Sequence, residues 1–339
     1  MSNRVSVVIP AYNAARFIGE TIEAILQQDY SPAEIIVVND GSTDETATIV
    51  SAYEPRVRLI NIANSGCTAA RAAGAAAARA DWFAFCDADD LWHCEHLSRL
   101  LDVGVNHGVP FAFSNFTHLK GVERAACTHF EAEPTGFWMK PGRPVGNYRF
   151  IADEPLLLRI LSHQAMFASC IFVRRDFYER IGGLNPLFSR NPSEDFEFVL
   201  RCVARKPAGI DVRPTVDIRR HDQNMSGDWI RTVAGSTEIL KYAVQHHDLC
   251  PKQREALERE IVGRSIYGVE ICFRNKRFDD VPIFAENLKG HDIPLKTAVR
   301  LGVSRQPAKV ARLLGSALLT AGTAGNGVKR LLRRPGSGV

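Results

Sequence analysis

The chain has no CxxC pair, no GxGxxG fingerprint, no GxxxxGK[ST] loop and no apolar run of membrane-spanning length. The eight cysteines (67, 86, 94, 127, 170, 202, 250 and 272) are scattered, several inside apolar runs such as Phe83-Ala84-Phe85-Cys86, so they read as reduced core thiols of a cytosolic protein rather than a disulfide scaffold. Without close-approach glycines after the first strand a dinucleotide site of the NAD type is disfavoured, and without the lysine loop the P-loop NTPases are excluded. Something other than a glycine cradle must therefore neutralise any bound phosphate. The longest weakly polar stretch, 313–328, is broken by Gly315, Gly322, Gly325 and Gly327 and falls short of the roughly 18 apolar residues a span needs. The opening MSNRVSVVIP holds one Arg and a five-residue run, too short for a signal-peptide core, so no export is expected.

One-signed charge is also scarce overall, at +4, but it is unevenly placed. Residues 289–339 hold ten Lys or Arg against Asp292 alone, a balance of +9, which leaves −5 on residues 1–288. An acidic body with a basic end gives no footing for a nucleic-acid partner. What is present is ordinary globular composition, 45% hydrophobic and 24% charged over 339 residues, enough for about two domains at roughly 150 residues each.

Short β-branched runs alternate with helical spacing through the first third. Val5–Ile9 precedes a helix over 13–28, and Ile35–Asn39 precedes one over about 42–53, where Ser42 and Glu45 have capping-box spacing. Val57–Ile62, Thr68–Ala80, Trp82–Cys86 and His93–Asn106 continue the alternation. Parallel neighbours require such crossovers, so the expectation is an α/β fold with a mostly parallel, Rossmann-like sheet flanked by helices. Beyond 111 the rhythm loosens, with a strand candidate at 167–173 and a helix near Ser193. Residues 229–289 and 296–334 read as helical. The domain expectation is 1–228, divided into a donor half 1–110 and an acceptor half 111–228, followed by a basic helical extension 229–339.

In open parallel sheets ligands bind beyond the carboxyl ends of the strands. The polar residues at those ends are Tyr12, Asn13, Asp40, Asn64 and the run Asp87-Ala88-Asp89-Asp90. Two carboxylates at i and i+2 in a turn can hold a hard divalent cation that bridges phosphate oxygens. A lone DxD is more often a solvated turn, but a place directly after a buried strand favours the site. Asp40 can accept hydrogen bonds from a ribose or a base N–H, or simply belong to an Asp-Gly-Ser turn. Arg71 interrupts an alanine-rich segment and could pair with the acidic run or with phosphate. Ser193-Glu194-Asp195 reads as a helix start, and a carboxylate there also suits a general base. His221 alone reads as a surface histidine; beside a carboxylate-held metal it becomes a third ligand.

Six ordered blocks carry a more specific signal: VSVVIPAYN (5–13), EIIVVNDGSTDET (34–46), NSGCTAARAAG (64–74), FAFCDADDLW (83–92), RRDFYERIGGL (174–184) and SEDFEFVLR (193–201). Together they resemble family 2 glycosyltransferases of the GT-A fold, over about two thirds of the chain. The resemblance implies an inverting transferase that uses a nucleotide-sugar donor, most often UDP-linked, with Mn²⁺ or Mg²⁺. It implies that Pro10, Tyr12, Asn13 and Asp40 surround base and ribose with Arg71 nearby, and that Asp87 and Asp89 form the DxD. It further implies that Asp89 ligates the metal with His221, and that Asp195 is the catalytic base. Ala72 departs from the pattern, where members commonly have Asn after the Arg.

The resulting expectation is transfer of a sugar to a hydroxyl of a glycan or lipid-linked acceptor in polysaccharide or glycoconjugate biosynthesis. The setting would be cytoplasmic, with peripheral contact between residues 289–339 and an anionic membrane surface. A catalytically silent donor-binding or glycan-binding subunit is the alternative. Its weakness is the joint presence of Asp40, Asp87, Asp89 and Asp195. A DxD phosphatase would place its acidic pair after the first strand rather than the fourth.

Overall fold

A computed structural model of the protein describes residues 3–140, 142–164, 166–204, 207–222, 227–306 and 308–321. These divide into two compact units, one spanning 3–190 with 194–222 and the other 191–193 with 227–321.

The first unit runs β1 (Val5–Ala11), α1 (Ile18–Leu26), β2 (Glu34–Asn39), α2 (Thr46–Ser51), β3 (Val57–Asn61), α3 (Cys67–Ala77), β4 (Trp82–Phe85), the two-residue β5 (Leu91–Trp92) and α4 (His96–Asn106). It continues with β6 (Phe111–Lys120), β7 (Glu123–Arg124), β8 (Gly142–Gly146), β9 (Arg149–Ala152), α5 (Leu157–Ser162), β10 (Ile171–Arg174), α6 (Arg175–Arg180), α7 (Glu194–Val203) and β11 (Gly209–Arg219). The sheet order is β3-β2-β1-β4-β10-β6-β11-β9-β8, with β5 on β11 and β7 on β6.

The first four strands are parallel, as the alternation predicts. The sheet then becomes mixed, because β10 lies antiparallel between β4 and β6. Ala168–Cys170 form a 3₁₀ turn rather than the first residues of a strand, so β10 begins only at Ile171.

All seven residues of β1 are buried, as expected of a strand covered on both faces. The alanines of α3 let it lie close on β1 and β2: a Cβ on Gly74 would stand 2.3 Å from Val8 Cγ1 and 3.1 Å from Val38 Cγ2. Across the sheet Trp82 stacks on Phe172 at 4.7 Å.

Two helix starts differ from the sequence expectation, for one reason. Asn13 adopts φ 49°, a left-handed conformation that breaks the helical run, and α1 begins only at Ile18. Its Oδ1 accepts from the Thr43 amide at 2.8 Å, and its own amide donates to Ser42 Oγ at 3.0 Å. Ser42 is thereby drawn to the β1 loop and caps nothing. Asp44 Oδ1 accepts from the Thr46 amide at 3.0 Å instead, at the start of α2.

The second unit is helical: α8 (Trp229–His246), α9 (Pro251–Arg274), α10 (Val281–Ala285), α11 (Leu295–Ser304) and α12 (Ala308–Ala321). Asp228 Oδ1 caps α8 by accepting from the amides of Ile230 and Arg231. Its core gathers Val269, Cys272, Phe273, Phe278, Val281, Phe284, Leu288 and Leu301. No helix among the described residues is long and apolar enough to cross a membrane. The expected basic residues Lys329, Arg330, Arg333 and Arg334 lie outside the described residues.

Gly74→Ala should destabilise the protein although alanine is the better helix former. The helical gain is about 1 kcal/mol, whereas forcing a methyl onto Val8 costs about 1–3 kcal/mol. Urea denaturation should show a lower midpoint at unchanged slope.

Candidate functional site

The parallel half of the sheet delivers the carboxyl ends of β1, β2 and β4 to one edge, and the predicted residues lie there. Pro10 is buried in β1, opposite Val38, whereas Tyr12 beyond it is half exposed. Asp40 is buried at the end of β2. Its Oδ1 accepts from the Ser65 amide at 2.7 Å and its Oδ2 from the Gly66 amide at 2.8 Å. These bonds shape the loop that opens α3.

That loop is closed from the far side of the sequence. Gly66 has φ 90°, and a Cβ there would stand 2.4 Å from the Ser189 carbonyl oxygen, so only glycine fits. The Ser189 carbonyl accepts from the Cys67 amide at 3.1 Å and its hydroxyl from the Ala69 amide at 3.0 Å. A serine 120 residues away thus serves the orphan amides at the start of α3.

One turn into α3, Arg71 is buried between two carboxylates. Nη2 donates to Asp87 Oδ1 at 2.5 Å and Nη1 to Glu194 Oε1 at 2.6 Å. The pairing with the acidic run holds, and it has a consequence for the donor role. With 2% of its side chain exposed, Arg71 is a buried strut rather than an open phosphate-binding cation.

The acidic run forms a turn bolted from several sides. Ser169 Oγ accepts from the Asp87 amide at 2.9 Å and donates to Asp90 Oδ2 at 2.5 Å. Thr21 Oγ1 lies 3.0 Å from the carbonyls of both Ala88 and Asp90. Arg219 gives its amide to Asp90 Oδ1 at 2.9 Å and its Nε to the Asp89 carbonyl at 2.8 Å. Asp89 faces His221, with Oδ2 and Nε2 2.8 Å apart, and the imidazole stacks on Phe17 at 4.7 Å.

Asp195 stands in the first turn of α7, with Oδ2 accepting from the Ala168 amide at 3.0 Å. Burial, then the neighbouring Glu194, push its carboxyl up to about 8, against the pull of Arg71. Burial and Asp87 likewise raise Asp89, opposed by His221. Asp90, fully buried beside Asp89 and Asp87, is pushed well above the usual range. The turn therefore holds more negative charge than its surroundings satisfy.

That surplus is the observation relevant to a cation. Two oxygen donors and an imidazole suit Mn²⁺ or Mg²⁺. The expected set Asp87, Asp89 and His221 is nonetheless not assembled as three ligands. Among the described residues no group of three or more His, Cys, Asp or Glu is placed to hold one metal ion, and Asp87 Oδ1 is turned to Arg71. The residues in contact and suited to a cation are Asp89 and His221, with Asp87 beside them.

A family model described as Glycosyl transferase family 2 matches residues 6–181. The chain belongs to glycosyl transferase family 2. Among relatives, a Rhizobium meliloti succinoglycan biosynthesis protein, ExoO, is 40% identical over 113 residues, 33% of this chain and 32% of that one. The chain spans about a third of the length of the curated relatives it matches. Among solved structures, S. aureus TarS 1–349 in complex with UDP-GlcNAc aligns with a TM-score of 0.60 at 17% identity, covering 94% of this chain and 92% of that one. A Pyrobaculum calidifontis mannosyltransferase in complex with GDP-Man and Mn²⁺ aligns with a TM-score of 0.54 at 17% identity, over 94% and 86%. At such identities these structures establish the fold, which is the GT-A type with a helical C-terminal region.

Within this family 2 chain, the blocks place the strand ends and the acids, but Ser169, Ser189, Thr21 and Arg219 carry no spacing signal. Arg219 alone had a clue, being two residues before His221 at the end of an apolar-interleaved segment.

Arg71→Met should lower stability by about 3 kcal/mol, since it strands Glu194 and Asp87. Equilibrium unfolding of the variant against wild type measures this. A second expectation concerns pH. The folded Asp195 carboxyl keeps a proton that the unfolded chain releases, so its contribution to stability falls as pH rises from about 4 to about 8. Asp195→Asn should flatten that fall in urea midpoints collected between pH 5 and pH 9.

Proposed function

We propose that this family 2 chain is an inverting glycosyltransferase. It moves a sugar from a nucleoside diphosphate sugar, UDP-linked, to a hydroxyl of a glycan or lipid-linked acceptor in polysaccharide or glycoconjugate biosynthesis. The observation that carries the reading is the meeting of the acidic turn with Asp195 across the Ala168–Ser169 turn. The UDP-GlcNAc held by TarS and the GDP-Man and Mn²⁺ held by the mannosyltransferase support a nucleotide-sugar donor.

In this reading Pro10, Tyr12, Asn13 and Asp40 bound the base and ribose at the ends of β1 and β2. Asp89 and His221, with Asp87 beside them, would hold Mn²⁺ or Mg²⁺, which offsets the charge of a departing diphosphate. Arg71 contributes by holding Asp87 and Glu194. Asp195, its Oδ2 fixed by the Ala168 amide, takes the acceptor's proton on Oδ1 as the hydroxyl attacks the face opposite the leaving group. A carboxyl pushed up to about 8 is a stronger base than an ordinary aspartate.

The setting we infer is the cytoplasmic side of an anionic membrane, met peripherally by the basic end. Exposed Leu295 and Val299 on α11, and Val310, Leu313 and Leu314 on α12, lie in sequence among exposed Lys296, Lys309 and Arg312. Vesicles containing anionic lipid should sediment the intact chain and lose it on deletion of 289–339; equal sedimentation of both would remove the membrane contact.

Asp195→Asn should lower kcat for transfer from a UDP-sugar by about 10²–10⁴ while leaving nucleotide binding in place. For the unsubstituted protein the rate should climb with pH as the carboxyl deprotonates around 8. Near-normal turnover by the variant would remove the base assignment.

A further inference from the structure

Between the acidic turn and the proposed base lies a segment that none of the sequence blocks contains. Ala168 and Ser169 are both buried, in the 3₁₀ turn that feeds β10. The backbone N–H of Ala168 holds Asp195 Oδ2 at 3.0 Å. One residue on, the Ser169 hydroxyl accepts from the Asp87 amide at 2.9 Å and donates to Asp90 Oδ2 at 2.5 Å. The Ser169 carbonyl in turn accepts from Trp92 Nε1 at 2.9 Å, from the strand just past the acidic turn. The clamp on the proposed base and the clamp on the acidic turn are therefore adjacent in the backbone.

One peptide unit and the torsions flanking it, held by the 3₁₀ turn, separate those two clamps, so sliding the acidic turn relative to Asp195 strains one of the bonds. Group transfer is sensitive to that spacing. The attacking oxygen and the leaving group must lie in line, and a misplacement of about 1 Å can cost 10²-fold in rate. Asp90 is the natural anchor for such a clamp, because it sits beneath the turn, bonded to Ser169 on one oxygen and to the Arg219 amide on the other.

We propose that Ser169 is a positioning residue for sugar transfer: through the Ala168–Ser169 turn it fixes the distance between Asp195 and the donor-side turn Asp87–Asp90. The proposal rests on the reading of Asp195 as the base. It assigns Ser169 no contact with substrate. Its hydroxyl acts through Asp195 and through the acidic turn, and its removal should impair the transfer step more than donor binding.

The test is a double-mutant cycle on the full chain, using a UDP-sugar donor, its acceptor and Mn²⁺, with kcat and donor KM measured for each variant. Ser169→Ala should lower kcat about tenfold with donor KM within about threefold. In the Asp195→Asn background the same substitution should cost less than about twofold, because there is no base left to misplace. Equal cost in both backgrounds would overturn the proposal and leave Ser169 as a stabilising core hydroxyl, as would no loss in the parent. If Ser169→Ala does not fold, Trp92→Phe, which releases the Ser169 carbonyl and keeps the hydroxyl, takes its place. It should lower kcat by a smaller factor that again vanishes with Asp195→Asn. The single Asp195→Asn arm separates the two claims. Loss of turnover there with additive effects sinks the positioning role alone, whereas retained turnover sinks the base assignment beneath it.

Discussion

Five carboxylates crowd the edge of this sheet, and the guanidinium of Arg71 is what allows them to share it. Asp87 and Glu194 each give it an oxygen, at 2.5 and 2.6 Å, from positions 16 and 123 residues away. The cation lies buried, so the attraction is weakly screened and the cost of removing either partner is high. Through Asp87 it reaches the acidic turn, and through Glu194 it reaches the helix that carries Asp195. The remaining acids, Asp89, Asp90 and Asp195, are left with raised carboxyls by burial and by one another.

Such a site works against the stability of the fold that holds it. Raised buried carboxyls bind protons that the unfolded chain would release, so each of these acids weakens folding as the pH rises. The compensation is visible in the backbone bonds around them. Asp40 gathers the amides of Ser65 and Gly66, Ser189 serves the start of α3, and Arg219 with Thr21 pins the acidic turn. A crowded acidic edge whose acids are held by such bonds is preorganised for a cationic or charge-spreading group. Family 2 membership gives that preorganisation its setting.

What could be read from the chain alone was whatever repeats with a period or stands next in sequence. The β-branched run at Val5–Ile9, the alanines of Cys67–Ala77 and the acids after β4 all declare themselves locally. The capping-box spacing of Ser42 and Glu45 misled, because Asn13 competes for Ser42 from 29 residues away. The 167–173 segment has strand composition throughout, but its first part is held as a turn by Asp195 and Asp90, 27 and 79 residues distant in the chain. Arg71 showed its residue type and not its second partner. Ser169 and Ser189 are ordinary serines in sequence, and only the fold supplies their partners.

Whether the acidic turn is the donor's metal-assisted seat is decided by calorimetric titration with UDP, in Mn²⁺ and in EDTA, of the unsubstituted protein and of Asp89→Ala. Such a seat gives heat of binding in Mn²⁺ that is lost in EDTA and lost in the variant. Binding of equal strength in all four experiments would contradict it.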